Sequence, residues 1–168
     1  MTDVFISKVM NITDIEDKII HDSALGSPAW KPEMGGQTNN PNENAAKLAL
    51  FYEREFLNDI STIGIRREHF HAIPRATDFI AEITDLVSRI VENGFGYESD
   101  GSVYFNLNEW RKSEKYGQLF TIDTENFRAG VRIDADEYER DQVSDFVLWK
   151  AHKEGEPSWD FELNGKNL

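Results

Sequence analysis

Four histidines and no cysteine limit the metal chemistry that this sequence can support. His69 and His71 lie two residues apart, so they share a face only where the chain is extended. Glu68 adds a carboxylate, but no further ligand has the spacing of a zinc site. The lack of cysteine also excludes disulfides, thiolate zinc sites and cysteine nucleophiles. We therefore predict a polar loop at these histidines and assign no metal ligand within the chain.

Three carboxylates, Asp14, Glu16 and Asp17, are the second group that could do chemistry. A cluster of this kind can bind a divalent cation or supply a general acid and base. An acidic first turn of a helix accounts for the same residues, because the helix dipole favours negative charge there. The helical interpretation is favoured, and no catalytic residue is assigned.

Two other patterns fail as ligand-binding motifs. The acidic run 134–141 resembles a calcium loop, but Glu139 occupies the position that needs glycine and Asp145 the position that needs glutamate. We predict a solvated surface segment there. The pair Gly35 and Gly36 lacks the strand-to-helix context of a phosphate-binding loop.

Aromatic and basic residues are interleaved between Tyr104 and Lys115, and the chain has four tryptophans. Such residues can stack on nucleic-acid bases, although aromatics beside a hairpin more often form a core, which is the interpretation we favour. With 18 basic and 31 acidic residues the net charge is −13, which argues against a general nucleic-acid-binding surface. A local basic strip from Arg111 to Arg132 stays open as an alternative binding surface.

The elements that must position these residues are expected to form one domain. A length of 168 residues, with 39% hydrophobic and 29% charged residues, is typical of a globular chain. No apolar run is long enough to span a membrane and no leader follows Met1, so the cytoplasm is the expected location. The chain opens inside an apolar strand at 4–12, and both of its ends resemble cut ends.

Helical signals dominate the first half of the chain. We expect Thr13 to cap a short helix over 14–20 and residues 26–42, rich in Gly, Pro, Asn and Ser, to form a long loop. Apolar residues at three- and four-residue steps predict two longer helices, at 43–60 and 76–91.

The second half of the chain is predicted to contain β-structure in two places. The dipeptide Asp100-Gly101 favours the positive φ angles of a tight hairpin turn, so strands are expected on both sides of it. Residues 146–149 predict a short buried strand or a helix start. Residues 154–168 are predicted to form no helix or strand.

Seven short segments resemble motifs of cysteinyl-tRNA synthetases and occur in that family's order. The first is the signature NITDIEDKII at 11–20. The others are PRAT at 74–77, GY at 96–97 leading to DGSVYF at 100–105, YGQL at 116–119, AGVR at 129–132, DFVLWK at 145–150 and EGEPSW at 154–159. The resemblance runs from about residue 4 to residue 159. Each motif is weak evidence alone, but seven in the right order are strong evidence.

This resemblance implies an α/β fold that is part of a class I synthetase Rossmann catalytic domain with an inserted α+β connective polypeptide. Residues 1–94 would then be part of the first Rossmann half with its following helices. Residues 95–141 would be the connective insertion with its β-hairpin, and residues 142–168 would start the return to the Rossmann domain.

The resemblance also implies an activity for the parent enzyme, which activates cysteine with ATP, transfers it to tRNA(Cys) and holds the cysteine thiolate on zinc. The family's ATP-binding motif and first zinc cysteine are expected upstream of this chain, and a second zinc cysteine downstream. This chain alone is therefore expected to bind neither ATP nor zinc and to be inactive. Of the family's substrate-binding positions only Thr13 matches, as a hydroxyl near the cysteine, and helix capping is a compatible role for it.

Two departures and two alternatives accompany this resemblance. After Ile20 the family usually continues with Lys or Arg, whereas His21 follows here, and the loop 26–42 is longer than expected. The chain could instead be a stand-alone tRNA- or protein-binding module, or a relic without function. A relic would expose strand edges at 4–12 and 146–149 and would self-associate through them.

Overall fold

The computed structural model describes residues 6–114 and 145–168. In these stretches the chain forms four α-helices and five short strands, in the order α1 (Asp17–Ser23), α2 (Pro41–Thr62), α3 (Ile80–Glu92), β1 (Gly96–Ser99), β2 (Ser102–Phe105), α4 (Leu107–Ser113), β3 (Phe146–Trp149), β4 (Glu162–Leu163) and β5 (Lys166–Asn167). Two compact units contain them, one from 6–83 with 152–160 and one from the described part of 84–151 with 161–168. The domain boundaries predicted at residues 94 and 141 remain a prediction. No helix in the described stretches is long and apolar enough to cross a membrane.

Helix α2 dominates the first unit and starts two residues earlier than predicted. The side chain of Asn40 accepts hydrogen bonds from the backbone N–H groups of Asn42 and Glu43, and Pro41 occupies the first turn. Asparagine at the N-cap and proline just after it are a common way to start a helix. The buried side chains of α2, which include Leu48 at 1% exposure, form the core of this unit together with α1.

Helix α1 begins at Asp17, three residues later than predicted. Glu16 is its N-cap residue and makes no side-chain capping hydrogen bond. The prediction that Thr13 caps this helix is therefore wrong, since the Thr13 hydroxyl instead accepts a hydrogen bond of 3.2 Å from the Asn11 amide. Asp14 also lies outside the helix, because its carboxylate is engaged elsewhere, as described below.

The apolar strand predicted at 4–12 is a pair of isolated parallel bridges in its described part, which begins at Ile6. These bridges join Val9 to Ala72 and Ile12 to Arg75. A continuous parallel ladder would need an N–H group on Pro74, which proline lacks. The predicted strand does not form in the described residues, where Ile6 and Val9 are 74% and 61% exposed.

The second unit is built on the antiparallel sheet β1-β2-β3. The turn between β1 and β2 has positive φ angles of 49° at Asp100 and 80° at Gly101, so the predicted tight hairpin is confirmed. Residues 146–149 form strand β3 rather than a helix start. The core of this unit contains Val103 and Leu107, which are 0% and 2% exposed.

A small hairpin ends the chain where no element was predicted. Strands β4 and β5 pair antiparallel around Asn164 and Gly165, whose φ angles are 53° and 77°. Asn-Gly favours the same turn as Asp-Gly, so the signal was present in the sequence. The hairpin buries Phe161 and Leu163 to 3% and 6% exposure, and Phe161 packs edge-on against Trp149 at 5.1 Å between ring centroids.

Candidate functional site

Thr13 lies just past the carboxyl end of the parallel pairing in the first unit. The N–H group of Ile12 donates to the Pro74 carbonyl at 2.8 Å, and the N–H group of Ala76 donates to the Ile12 carbonyl at 3.1 Å. Ligands of α/β proteins bind at the carboxyl ends of parallel strands. Thr13 is exposed, and because its oxygen accepts from the Asn11 amide, its own O–H can donate to a ligand.

The neighbouring Asp14 ties the signature segment to the start of the α3 region. Its carboxylate is 6% exposed. One carboxylate oxygen accepts a hydrogen bond of 3.0 Å from the backbone N–H of Thr77, and the other accepts a short hydrogen bond from the Thr77 hydroxyl. Thr77 belongs to a single 3₁₀ turn, Ala76–Phe79, that leads into α3. Asp14 thus satisfies a helix-terminal N–H from 63 residues away and fixes the backbone beside Thr13.

Arg75 connects the same region to α2. Its Nε and Nη2 groups donate to the two carboxylate oxygens of Glu53 at 2.6 and 2.9 Å, in the forked geometry that arginine and carboxylate groups favour. The hydrogen bond to Glu53 raises the pKa of Arg75 above its usual value, although burial opposes the shift. The guanidinium is therefore a permanent charge that holds α2 against the segment after Pro74.

Two asparagine side chains in the first turn of α2 hold neighbouring segments by paired hydrogen bonds. Asn42 donates to the Ser158 carbonyl at 2.9 Å and accepts from the Ser158 N–H at 3.2 Å. Asn44, only 2% exposed, makes the same paired contact with the backbone of Thr38, at 2.9 Å for each bond. These amides satisfy backbone groups much as a neighbouring strand would.

The loop predicted at 26–42 is ordered by side-chain contacts with backbone carbonyls. The Trp30 indole donates to the Gly35 carbonyl at 2.7 Å, and Lys47 donates to the Gly36 carbonyl at 3.0 Å. The Gly35 N–H itself donates to the Pro32 carbonyl at 3.0 Å. These contacts engage the carbonyls of both glycines and the N–H group of Gly35.

The carboxylate and histidine clusters do not assemble into a metal site in the described part of the chain. No group of three His, Asp or Glu residues there could hold a metal ion. Asp14 is engaged by Thr77, and Asp17 is the acidic residue in the first turn of α1, so the acidic-turn interpretation holds for Asp17 alone. His69 Nδ1 accepts a hydrogen bond from the Arg66 N–H at 3.1 Å within a 3₁₀ turn.

The aromatic residues near the hairpin, which were expected to form a core, are half-buried and pack against one another. Trp110 on α4 packs against Phe95 and Phe105, with ring centroids 5.0 and 5.9 Å apart. The helical turn that carries Trp110 was not predicted. The acidic run 134–141 and most of the strip from Arg111 to Arg132 lie outside the described residues.

Four residues that hold segments within the first or the second unit were not predicted from the sequence. Glu53, Asn42 and Asn44 act through contacts to residues distant in the sequence, which periodicity does not reveal. Asp145, 6% exposed, accepts hydrogen bonds from the Leu107 N–H at 2.9 Å and from the Tyr97 hydroxyl at 3.1 Å. Of these four, only Asp145 lies within a family motif, the one at 145–150. Its place there was a signal in the sequence, because a buried polar side chain needs a hydrogen-bond partner.

Comparison with known proteins identifies a matching family. A family model described as the class I (C) tRNA synthetase catalytic domain matches residues 3–165. A cysteine–tRNA ligase of Leptospira interrogans is 37% identical over 157 residues, which cover 92% of this chain and 29% of the relative. Cysteine–tRNA ligases of Fervidobacterium nodosum and Methanococcus maripaludis are each 35% identical, over 153 and 154 residues, covering 90% and 92% of this chain and 28% of each relative.

The chain thus spans less than a third of the length of these curated relatives. The match to the family model nevertheless covers almost every residue of the chain, including all seven motifs. The predicted resemblance to cysteinyl-tRNA synthetases is confirmed, and the chain belongs to the family of class I (C) tRNA synthetase catalytic domains.

Proposed function

We propose that this chain is part of a cysteine–tRNA ligase, which activates cysteine with ATP and transfers it to tRNA(Cys). The observation that carries the proposal is the contact between Asp14 and Thr77. These residues belong to two family motifs, 11–20 and 74–77, that are far apart in the sequence. Chance matches of short segments would have no reason to meet through a buried carboxylate. The names of the similar proteins support the same activity.

The fold that we propose is part of a Rossmann catalytic domain with an inserted α+β connective polypeptide. The parallel pairing between 8–12 and 71–76 supports the first part, because parallel pairing is typical of α/β folds. The antiparallel sheet of the second unit supports the second part. The boundaries at 94 and 141 are part of this proposal.

Thr13 is the residue that we propose to contact the cysteine substrate. Its support is positional, because an exposed hydroxyl with a free proton lies at the carboxyl end of a parallel pairing. The contact is tested in a chimera in which the 157 matched residues of the Leptospira interrogans ligase are replaced by this chain. Thr13→Ala should raise the KM for cysteine, and Thr13→Ser should restore it. Equal KM values for all three chimeras would contradict the role.

The residues of this chain do not by themselves fit a zinc site. The chain has no cysteine, and its described part has no cluster of three His, Asp or Glu residues that could hold a metal. Zinc would supply a Lewis-acid centre that the cysteine thiolate ligates in the whole enzyme, so no step is assigned to it here. The family's ATP-binding motif has no match in the sequence either, and ATP is assigned to the whole enzyme, which would consume it as a co-substrate.

We therefore propose that the isolated chain cannot make cysteinyl-adenylate. The chain offers a position for the cysteine, but its sequence has no match to the family's ATP-binding motif. The purified chain should give no cysteine-dependent ATP–pyrophosphate exchange above the buffer blank. Exchange that depends on cysteine and follows the concentration of the chain would contradict this proposal.

Self-association through exposed strand edges is a further part of the proposal. Ile6 and Val9 are 74% and 61% exposed next to the isolated bridges of the first unit, and Phe146 on β3 is 43% exposed. Open edges with apolar side chains favour pairing between chains. Sedimentation over a tenfold range of concentration should give a rising average mass, and Val9→Lys should reduce the rise. A constant monomer mass would contradict this part.

A further inference from the structure

Three glycines of the chain directly follow an asparagine or an aspartate, and all three belong to the second unit. They form the pairs Asn93-Gly94, Asp100-Gly101 and Asn164-Gly165, in which φ at the glycine is 80°, 80° and 77°. A glycine has no Cβ, so its backbone nitrogen is open to approach by the side chain before it. Attack of that nitrogen on the side-chain carbonyl carbon is the reaction by which such pairs rearrange.

Hydrogen bonds engage the glycine nitrogen in the first two pairs. The Gly94 N–H donates to the Val91 carbonyl at 2.9 Å, and the Gly101 N–H donates to a carboxylate oxygen of Glu98 at 2.8 Å. The side-chain amide of Asn93 also donates to a backbone carbonyl in the last turn of α3, at 2.7 Å. These bonds must open before the glycine nitrogen can attack the side chain before it.

The third pair makes no such bond in the part of the chain that the structure describes. Neither the Gly165 N–H nor the Asn164 side chain has a hydrogen-bond partner there. Both residues are exposed, and apart from its chain neighbours no atom lies within 4 Å of the position that a Cβ on Gly165 would occupy. Water and base therefore reach this turn without displacing a protein group.

The turn at Asn164 also needs little structure to open around it. Ring closure requires rotation of the Asn164 backbone away from its turn conformation, in which φ is 53°. The strands on either side, β4 and β5, are only two residues long. A two-stranded hairpin is marginally stable by itself, and exposed backbone hydrogen bonds open without global unfolding. The folded protein therefore reaches the reactive conformation by a local opening.

We propose that Asn164 is a site of spontaneous deamidation in the folded protein. Once base has removed its proton, the Gly165 nitrogen attacks Asn164 Cγ and closes a five-membered succinimide ring. The bond from Cγ to Nδ2 breaks, and the amide nitrogen takes up a proton and leaves as ammonia. Water then opens the ring at either carbonyl carbon, which gives aspartate or isoaspartate. The reaction consumes only water, so it is independent of the ligase activity.

Conversion to isoaspartate changes the hairpin that carries the turn. The main chain of isoaspartate runs through the side-chain carbonyl, which lengthens the turn by one backbone carbon. Because a two-residue turn fixes the register of its strands, Leu163 would no longer lie opposite Lys166. Leu163 is 6% exposed, and Phe161 on the same hairpin packs against Trp149. Deamidation therefore loosens the packing at Trp149 and adds a negative charge to the hairpin.

The test is incubation of the full chain at mildly alkaline pH, followed by tandem mass spectrometry of tryptic peptides and an isoaspartyl methyltransferase assay. Synthetic peptides of residues 160–168 and 89–97 give the rates of the two asparagines without folded structure. Relative to its peptide, Asn164 should convert roughly 5- to 150-fold faster than Asn93, where two hydrogen bonds must open first. Tryptophan fluorescence should change with the time course of isoaspartate formation at residue 164.

The variant Asn164→Gly removes the reactive amide and keeps a residue that accepts a positive φ angle. It should abolish both the methyltransferase signal from this hairpin and the fluorescence change, whereas the matched control Asn93→Gly should leave both unchanged. Circular dichroism before incubation should be the same for all variants. Equal protection of the two asparagines, faster conversion of Asn93, or an Asn164 that stays intact after its peptide has fully converted would overturn the proposal. A fluorescence change that persists in Asn164→Gly would overturn the loosening at Trp149.

Discussion

The hydrogen bonds from Thr77 to Asp14 give the most informative test of how the first unit is held together. Replacement of Asp14 by alanine removes a carboxylate that is 6% exposed and accepts two hydrogen bonds. The Thr77 N–H would be left without its acceptor at the start of a helical turn. The half-buried Thr77 hydroxyl could rotate to meet water, so its bond is lost only in part.

The expected loss follows from these two contacts. A hydrogen bond to a charged group contributes about 1.5–3 kcal/mol, and loss of a helix cap costs about 0.5–2 kcal/mol. With one bond counted fully and the other partly, Asp14→Ala should lower the free energy of unfolding by about 3 kcal/mol. For a chain of this size that corresponds to a decrease in Tm of roughly 6–12 °C.

Urea unfolding followed by tryptophan fluorescence measures this loss, and a double-mutant cycle with Thr77→Val assigns it to the pair. The coupling free energy should be about 1–2 kcal/mol, because the two side chains are in direct contact. Glu16→Ala is the control, since this exposed carboxylate makes no capping bond and its loss should cost less than about 0.5 kcal/mol. A cost for Asp14→Ala as small as that of the control, or zero coupling, would refute the reasoning.

Three further predictions concern other contacts. Arg75→Gln should cost about 1–2 kcal/mol in urea unfolding, because the pair with Glu53 is only partly buried; an unchanged midpoint would contradict this. Gly101→Ala should cost about 1–2 kcal/mol, because φ is 80° there, and an unchanged Tm would count against it. The hydrogen bond from Lys166 lowers the pKa of Glu98, so the stability it contributes is present above pH 4.5 and lost as pH falls through the lowered pKa. The stability difference between Glu98→Gln and the unchanged chain should shrink over that range, and a constant difference would be evidence against the contact.

Local signals in the sequence predicted the elements whose structure is decided locally. The hairpin at Asp100-Gly101 and the two long helices depend on turn chemistry and on apolar periodicity, and both are visible in short windows. The second hairpin, at Asn164-Gly165, carried the same signal and was missed because its strands are only two residues long.

Contacts between distant residues account for the rest. The short helix was predicted to start at Asp14 with Thr13 as its cap, but Asp14 is held by Thr77 and the helix starts only at Asp17. Capping propensity alone cannot reveal this competition, because the competing donor lies 63 residues away. The apolar segment at 4–12 pairs with a segment that has a proline where the ladder needs a backbone N–H donor. In its described part it therefore forms isolated bridges instead of a strand.

The motif resemblance selected a candidate site, whereas residue chemistry alone selected none. Metal-site and acid–base patterns at the histidines and carboxylates pointed to no assembled site in the described residues. The resemblance selected Thr13, and the hydrogen bonds around it come from other motif residues, Asp14 and Thr77. The contacts that hold other motif residues, such as Arg75 to Glu53 and Ser158 to Asn42, required the structure.

Cysteine-dependent ATP–pyrophosphate exchange by the chimera tests the central claim most directly. In it this chain replaces the 157 matched residues of the Leptospira interrogans ligase, and the same ligase with those residues deleted is the control. If the chain is part of a cysteine–tRNA ligase, the chimera should exchange pyrophosphate in the presence of cysteine, and the deletion control should not. A chimera that folds like the parent enzyme but exchanges no more than the deletion control would contradict the account.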